Sequence, residues 1–177
     1  ARPRAVGLGP GRRGGATGMK RLHYCSDDGL VLDRSKVYPQ DEHFPMKPKG
    51  LWWSVDDAWA EWCRGNDFRV GALARQYTLD IDASRLLRIS TFEDLAAFET
   101  EYADRASPMI SERFHFIDWT RVAARYAGVE IDPYFRPLSW PMINAGVVVG
   151  TWYYGWDVAS GCVWDLSAVT ACREVTA

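Results

Sequence analysis

Two short apolar runs, Leu22-His23-Tyr24-Cys25-Ser26 and Lys49-Gly50-Leu51-Trp52-Trp53-Ser54, set the tightest limits on what this chain can fold into. Both are of strand length, and the second leads straight into a segment of helical spacing, with Trp59, Trp62 and Cys63 at i, i+3 and i+4. Ser54 reads as the N-cap of that helix, and Asp56 and Asp57 suit the positive end of its dipole. The first run sets an imidazole and a hydroxyl near one end of a strand; the second is a glycine-led aromatic strand. Brought together, they make a pocket for a flat, polar ligand.

The remaining punctuation is legible in the same terms. Arg21 to Cys25 reads as a strand, Gly29 to Lys36 as a turn or short helix, and residues 37–49, with Pro39, Pro45 and Pro48 among charges, as a loop. Gly50 to Trp53 is the next strand. Gln76 to Ile89 begins with strand-like alternation and leads to Thr91, with Asp94 three residues on, a capping-box start for a helix through Tyr102. Asp118 caps a further helix carrying Trp119, Val122, Ala123 and Tyr126 and ended by Gly128. Val129 to Tyr134 then reads as a strand, and Trp140 to Asp165 as two or three more, with Ser160-Gly161 a turn between Trp156 and Trp164. Helices and strands mixed in this order, with strands closing the chain, give an α+β fold.

A length of 177 residues suits one domain. Residues 1–18 hold Gly, Arg, Pro and Ala without periodicity, a composition that cannot offset the entropy of ordering. Met19 looks like a natural start, so residues 1–18 are expected to be a disordered basic extension or the product of a misplaced start, and 19–177 a single domain. Removing 1–18 is expected to leave the melting temperature unchanged; a drop of several degrees would reveal a structural element there. Arg2, Arg4, Arg12 and Arg13 all lie in that stretch, and the body beyond it carries 17 basic against 23 acidic groups. A body of that sign offers no electrostatic footprint for nonspecific duplex binding.

Cys25, Cys63, Cys162 and Cys172 show no C-x-x-C spacing, and His23, His43 and His115 are scattered, so no metal site is expected and the cysteines read as free thiols in a reducing cytosol. No apolar run approaches the roughly 20 residues needed to cross a bilayer, and no secretory h-region opens the chain. The expectation is a soluble, cytoplasmic protein without a membrane partner. Nine tryptophans, at 52, 53, 59, 62, 119, 140, 152, 156 and 164, suit both core packing and the walls of a ligand cleft. The paired positions are the ones expected at a cleft.

The succession His23-Tyr24-Cys25-Ser26, then Lys49-Gly50-Leu51-Trp52-Trp53-Ser54 running into a helix that ends Trp62-Cys63, resembles the NAD-binding half of the ADP-ribosyltransferase superfamily. In that superfamily a first strand carries His followed closely by Ser or Thr, and a second carries a Gly-hydrophobic-aromatic-aromatic-Ser/Ala run; the diphtheria-toxin-like and poly-ADP-ribose-polymerase-like branches are nearest in style. Thr78 to Phe92, with Asp82 and then Thr91-Phe92-Glu93, is similar to the strand and helix that follow. The resemblance spans roughly Lys20 to Asp165 in order of elements. It implies a mixed, mainly antiparallel split β-sheet core with short flanking helices, and NAD as substrate.

The resemblance also implies roles. His23 would hydrogen-bond a ribose hydroxyl, and Trp52, in the position of the family's stacking tyrosine, would sandwich nicotinamide with Trp59 or Trp62. Tyr24, Ser26, Gly50 and Ser54 complete the implied cofactor contacts, with Ser26 or Ser54 orienting nearby polar groups. Cleavage at the nicotinamide ribose passes through an oxocarbenium-like state that needs a flat ring held still and positive charge stabilised. Most members supply a glutamate for this on a late strand. Tyr126 to Ile131 resembles the strand that precedes it, and Trp152-Tyr153-Tyr154-Gly155-Trp156-Asp157 resembles the carrier strand, with Trp152 where the acid would stand. Asp157 and Glu130 are therefore the candidate carboxylates, Asp157 favoured because it follows an aromatic strand and precedes the Ser160-Gly161 turn.

The function implied is NAD-dependent transfer of ADP-ribose to an unnamed protein or nucleic-acid target, with release of nicotinamide, by a small mono-ADP-ribosyltransferase of the kind encoded by phages or by toxin and conflict systems. Two alternatives belong to other classes. An NAD-dependent RNA 2′-phosphotransferase would need basic residues for the phosphate, and the acidic body argues against it. A non-catalytic, Trp-rich interaction module would show a cleft with aromatics and no carboxylate facing them.

Overall fold

The structure is a computed structural model and describes residues 18–41, 46–104, 116–136 and 150–176. The chain runs β1 (Arg21–Cys25), β2 (Leu51–Val55), α1 (Ala58–Gly65), β3 (Arg75–Ile81), β4 (Leu86–Ile89), α2 (Phe92–Tyr102), β5 (Ala103–Asp104), β6 (Phe116–Ile117), α3 (Trp119–Ala123), β7 (Gly128–Ile131), β8 (Ser160–Val163) and β9 (Val169–Glu174). Seven strands form one curled sheet in the order β4-β7-β8-β2-β1-β3-β9, while β5 and β6 pair separately. Only β4 and β7 run parallel; the other pairings in the large sheet are antiparallel. The fold is α+β, with a mixed, mainly antiparallel sheet and few short helices.

Period-2 alternation gives the sheet two apolar faces. On one, Val129, Ile131, Cys162 and Ile89 pack beneath Leu95, Phe98 and Tyr102 of α2 and Trp119 and Val122 of α3, with Trp152, Trp156 and Trp164 filling between. On the other, Leu51, Trp53, Leu79, Leu86 and Val163 pack against Leu166 and Val169, with Leu30 and Leu32 partly covering them. The Thr91 hydroxyl caps α2 by accepting from the Asp94 N–H, and the Asp94 side chain returns a bond to the Thr91 N–H, a full capping box.

Several elements differ from the sequence expectation. Asp118 does cap α3, but the helix stops at Ala123, and Gly128 opens β7 instead of ending a helix. Gln76 to Ile89 is two strands broken by a 3-10 turn at Ala83–Arg85, where the Asp82 carboxylate accepts from the Ser84 N–H. The expected carrier strand at Trp152 is a 3-10 turn, Thr151–Gly155, because Trp152 and Tyr153 are both drawn wholly into the core. Ser160-Gly161 is the start of β8, not a turn. A Cβ at Gly161 would lie 2.2 Å from Cζ2 of Trp53, so glycine stands there because an indole lies across it. Trp140 and the rest of 137–149 lie outside the described residues, as do residues 1–17, His43 and His115. No described helix is long and apolar enough to cross a membrane.

Candidate functional site

The centre of the sheet comes apart between β1 and β2. Their ladder consists of Arg21↔Val55 and Leu22↔Ser54 and then ends, whereas β1 continues to pair with β3 as far as Cys25. One more repeat would oppose Tyr24 to Trp52. Instead Nδ1 of His23 meets the Trp52 carbonyl oxygen at 2.7 Å, so an imidazole edge takes up a bond that the ladder has left open. A cavity of about 400 Å³ opens at this parting, within the size range of small-ligand pockets.

Because a carbonyl only accepts, Nδ1 of His23 carries the proton, and Nε2 of the neutral ring is an acceptor with no partner among the described residues. Burial pulls the His23 pKa below its ordinary 6.5, the bond to Trp52 opposing it in part. The sign follows: as pH falls below 6.5 the unfolded chain takes the proton before the folded one, so stability is lost until the lowered folded pKa is passed. Above 6.5 this ring adds no pH dependence.

Aromatic groups make the walls. Trp52 reaches the cavity from β2 and is backed by the core through Trp156, centroids 4.9 Å apart. To the same cavity α1 sends Trp59 and Trp62, stacked on each other at 5.2 Å and 8°, with Phe68 edge-on to both. Tyr24 is held at the rim by its hydroxyl, which donates to Asp57 Oδ1 at 2.8 Å and accepts from Gln76 Nε2 at 3.1 Å. Burial and the Asp57 carboxylate hold that phenol well above its usual pKa, so it stays protonated. The chain enters α1 through Asp56, left-handed at φ 48°, where Ser54 Oγ donates to the Asp56 carbonyl at 3.0 Å.

Three charged groups border the same space. The Lys47 ammonium lies 5.2 Å over the Trp52 ring and 3.9 Å from Asp157 Oδ2. Burial lowers the Lys47 pKa, and the Asp157 charge raises it in part. Arg69, also left-handed at φ 46°, is an exposed cation on the cavity wall. Lys47, Phe68 and Arg69 carry no periodic or motif signal in the sequence, since all three lie in loops or turns.

Of the residues singled out from sequence, His23, Tyr24, Trp52, Ser54, Trp59, Trp62 and Asp157 border this one cavity. Four of the tryptophans lie there, Trp53 included, while Trp119, Trp152, Trp156 and Trp164 are fully buried elsewhere. The remaining assignments need correction. Ser54 is not an N-cap: it stays in the sheet between Leu22 and Ser160, and Asp57 precedes α1 without a side-chain cap bond. Ser26 is exposed in the turn closed by the Gly29 N–H and is not a wall residue. Gly50 serves backbone packing, since a Cβ there would come 2.4 Å from the Val163 carbonyl oxygen. By register His23 opposes Trp53, not Trp52, and it borders the cavity only because the strands part. Glu130 lies on the sheet face opposite Val129 and Ile131, buried and paired with Arg21 and Arg88 away from the cavity.

Among the described residues no group of three His, Cys, Asp or Glu side chains could hold a metal ion, and all four cysteines are free thiols. A scan of protein-family models and searches of curated proteins and of solved structures find no match to this chain, so the parted strands and the aromatic cavity between them are what any functional reading has to rest on.

Proposed function

We propose that the cavity binds NAD and that the protein transfers ADP-ribose from it to a macromolecular target, in an ADP-ribosyltransferase-like fold. The observation that carries this reading is the convergence, at one parting of the sheet, of a neutral histidine acceptor, aromatic walls from β2 and α1, and the Asp157 carboxylate. His23 Nε2 would accept from a ribose hydroxyl. Trp52 and the Trp59–Trp62 pair would flank nicotinamide, and Arg69 at the wall suits the diphosphate. The C–N glycosidic bond breaks with both electrons leaving on nicotinamide, which departs neutral; the ribose cation is captured by a nucleophile of the target, which gives up its proton. Asp157 would stabilise that cation. The late strand β8 turns Ser160 to the cavity, and the Asp157 carboxylate comes from the segment just before that strand.

A carboxylate at the cavity favours an enzyme over the non-catalytic aromatic module, which would lack one. The direct test is incubation with NAD, with and without a cell lysate, followed by detection of free nicotinamide and of labelled macromolecule. Absence of both NAD binding and nicotinamide release would end the proposal. Within it, His23→Ala weakens NAD binding by about 1–3 kcal/mol, the scale for a hydrogen bond whose loss leaves a partner unpaired. Wild-type affinity falls in the same direction as the pH is lowered through the depressed His23 pKa, because a protonated Nε2 donates and no longer accepts. Calorimetric titration between about pH 5 and 8 reads both effects, and an affinity that rises on acidification removes His23 from the ligand.

A further inference from the structure

Lys47 stands in an unusual place for a surface lysine. Its ammonium sits against the face of Trp52, the side chain that the proposed ligand ring would stack on, and beside Asp157, the carboxylate that would meet positive charge. An aromatic face with an adjacent carboxylate is a site for a cation, and here the protein fills it with its own. The pair is loose: 3.9 Å separates Nζ from Oδ2, and the two side chains are 40% and 32% exposed, so no tight bidentate contact holds Lys47 in place. The residue lies outside the sheet, just before Pro48 and Gly50 at the end of a loop that enters β2, and its stem runs past Gly155, where a Cβ would lie 3.1 Å from Lys47 Cε.

We infer that the Trp52–Asp157 corner is a cation subsite, that Lys47 occupies it in the free protein, and that the ligand's positively charged ring displaces Lys47 on binding. This rests on the reading of the cavity as an NAD site and adds a charge specificity: oxidised NAD, with its pyridinium ring, is the form accepted, and the neutral dihydropyridine of NADH gains nothing from the corner. A neutral ring, with nothing to gain from the corner, leaves the Lys47 ammonium on Trp52 and beside Asp157, so its binding does not depend on Lys47.

The inference gives Lys47→Met a sign that few substitutions of a pocket cation share. If Lys47 instead held the diphosphate, its loss would weaken NAD and NADH alike. If it is a resident competitor, Lys47→Met tightens oxidised NAD about tenfold and changes NADH by less than half of that on a logarithmic scale. Asp157→Asn in the Lys47→Met background then removes the gain. Calorimetry of wild type, both single variants and the double variant with NAD and NADH measures the coupling. A parallel titration with the 1-methylnicotinamide cation and with neutral nicotinamide needs no dinucleotide site. Should wild type bind NAD while Lys47→Met fails to tighten it, the cation subsite is wrong and the NAD reading survives. Should NAD not bind while Lys47→Met still prefers 1-methylnicotinamide over nicotinamide, the subsite stands and the NAD reading falls. No preference for the charged ring in any variant overturns the inference.

Discussion

Under the proposed function, Asp157→Asn is expected to lower NAD turnover by about 100-fold or more while leaving NAD affinity nearly intact. The carboxylate borders the cavity just before β8, where a developing cation on the ribose would lie within its field. A fixed charge aimed at developing charge commonly contributes a few kcal/mol to the transition state. Ground-state affinity is spared for a separate reason: wild-type Asp157 already has Lys47 at 3.9 Å, so what the ligand's ring gains from the carboxylate is offset by what Lys47 gives up. The amide keeps size and hydrogen-bonding shape, so the fold is not the variable. Steady-state nicotinamide release together with calorimetric affinity separates the two quantities. Full turnover in the Asn variant of an active protein would show that Asp157 does not stabilise the cation, and with Glu130 committed to an ion-paired core no second described carboxylate of the original pair would remain to replace it.

How far the molecule can be read from its sequence depends on whether a residue's neighbours are local or distant. α2 is legible because its start is a local exchange between Thr91 and Asp94, and β1 and β2 are legible because short apolar runs bounded by polar residues have few alternatives. Residues 150–161 are not. Trp152, Tyr153 and Trp156 read as strand by type, yet their positions follow from burial against Phe98, Trp119 and Trp52, and the Trp152 indole N–H donates to Glu99 Oε1 at 2.7 Å. Gly161 looks like a turn residue until Trp53 is laid over it. At the site the aromatic pairs and His23 carry a visible pattern. Lys47 and Arg69 reach the cavity from outside the regular elements, where no period marks them. The β1–β2 parting itself is invisible in the sequence, since it depends on which strands flank each member of the pair.

Glu130→Ala is the substitution expected to cost most in stability, about 3–5 kcal/mol, because it strips a buried ion triad of its only anion. The Glu130 carboxylate is 1% exposed and accepts from Arg21 Nε at 2.6 Å and from Arg88 Nε at 3.1 Å. Arg21 is itself only 13% exposed, so without Glu130 its guanidinium stays in a largely dry site without the carboxylate it donates to. Its other close neighbour is the Trp53 ring, 5.9 Å from the guanidinium carbon, and Trp53 lies across Gly161 of β8. The triad thus links β1 to β7 and β4 across the intervening β2 and β8, following the curl of the sheet. Arg88 is 49% exposed and solvated on its own, so Arg88→Ala costs far less than Glu130→Ala. Glu130→Gln, which keeps an acceptor but not the charge, falls between the two. Urea denaturation of the three variants gives the order, and nicotinamide release from the folded Gln variant gives the role. A stable Glu130→Ala protein, or a fully stable Gln variant without activity, would move Glu130 from the architecture of the sheet to the chemistry of the cavity.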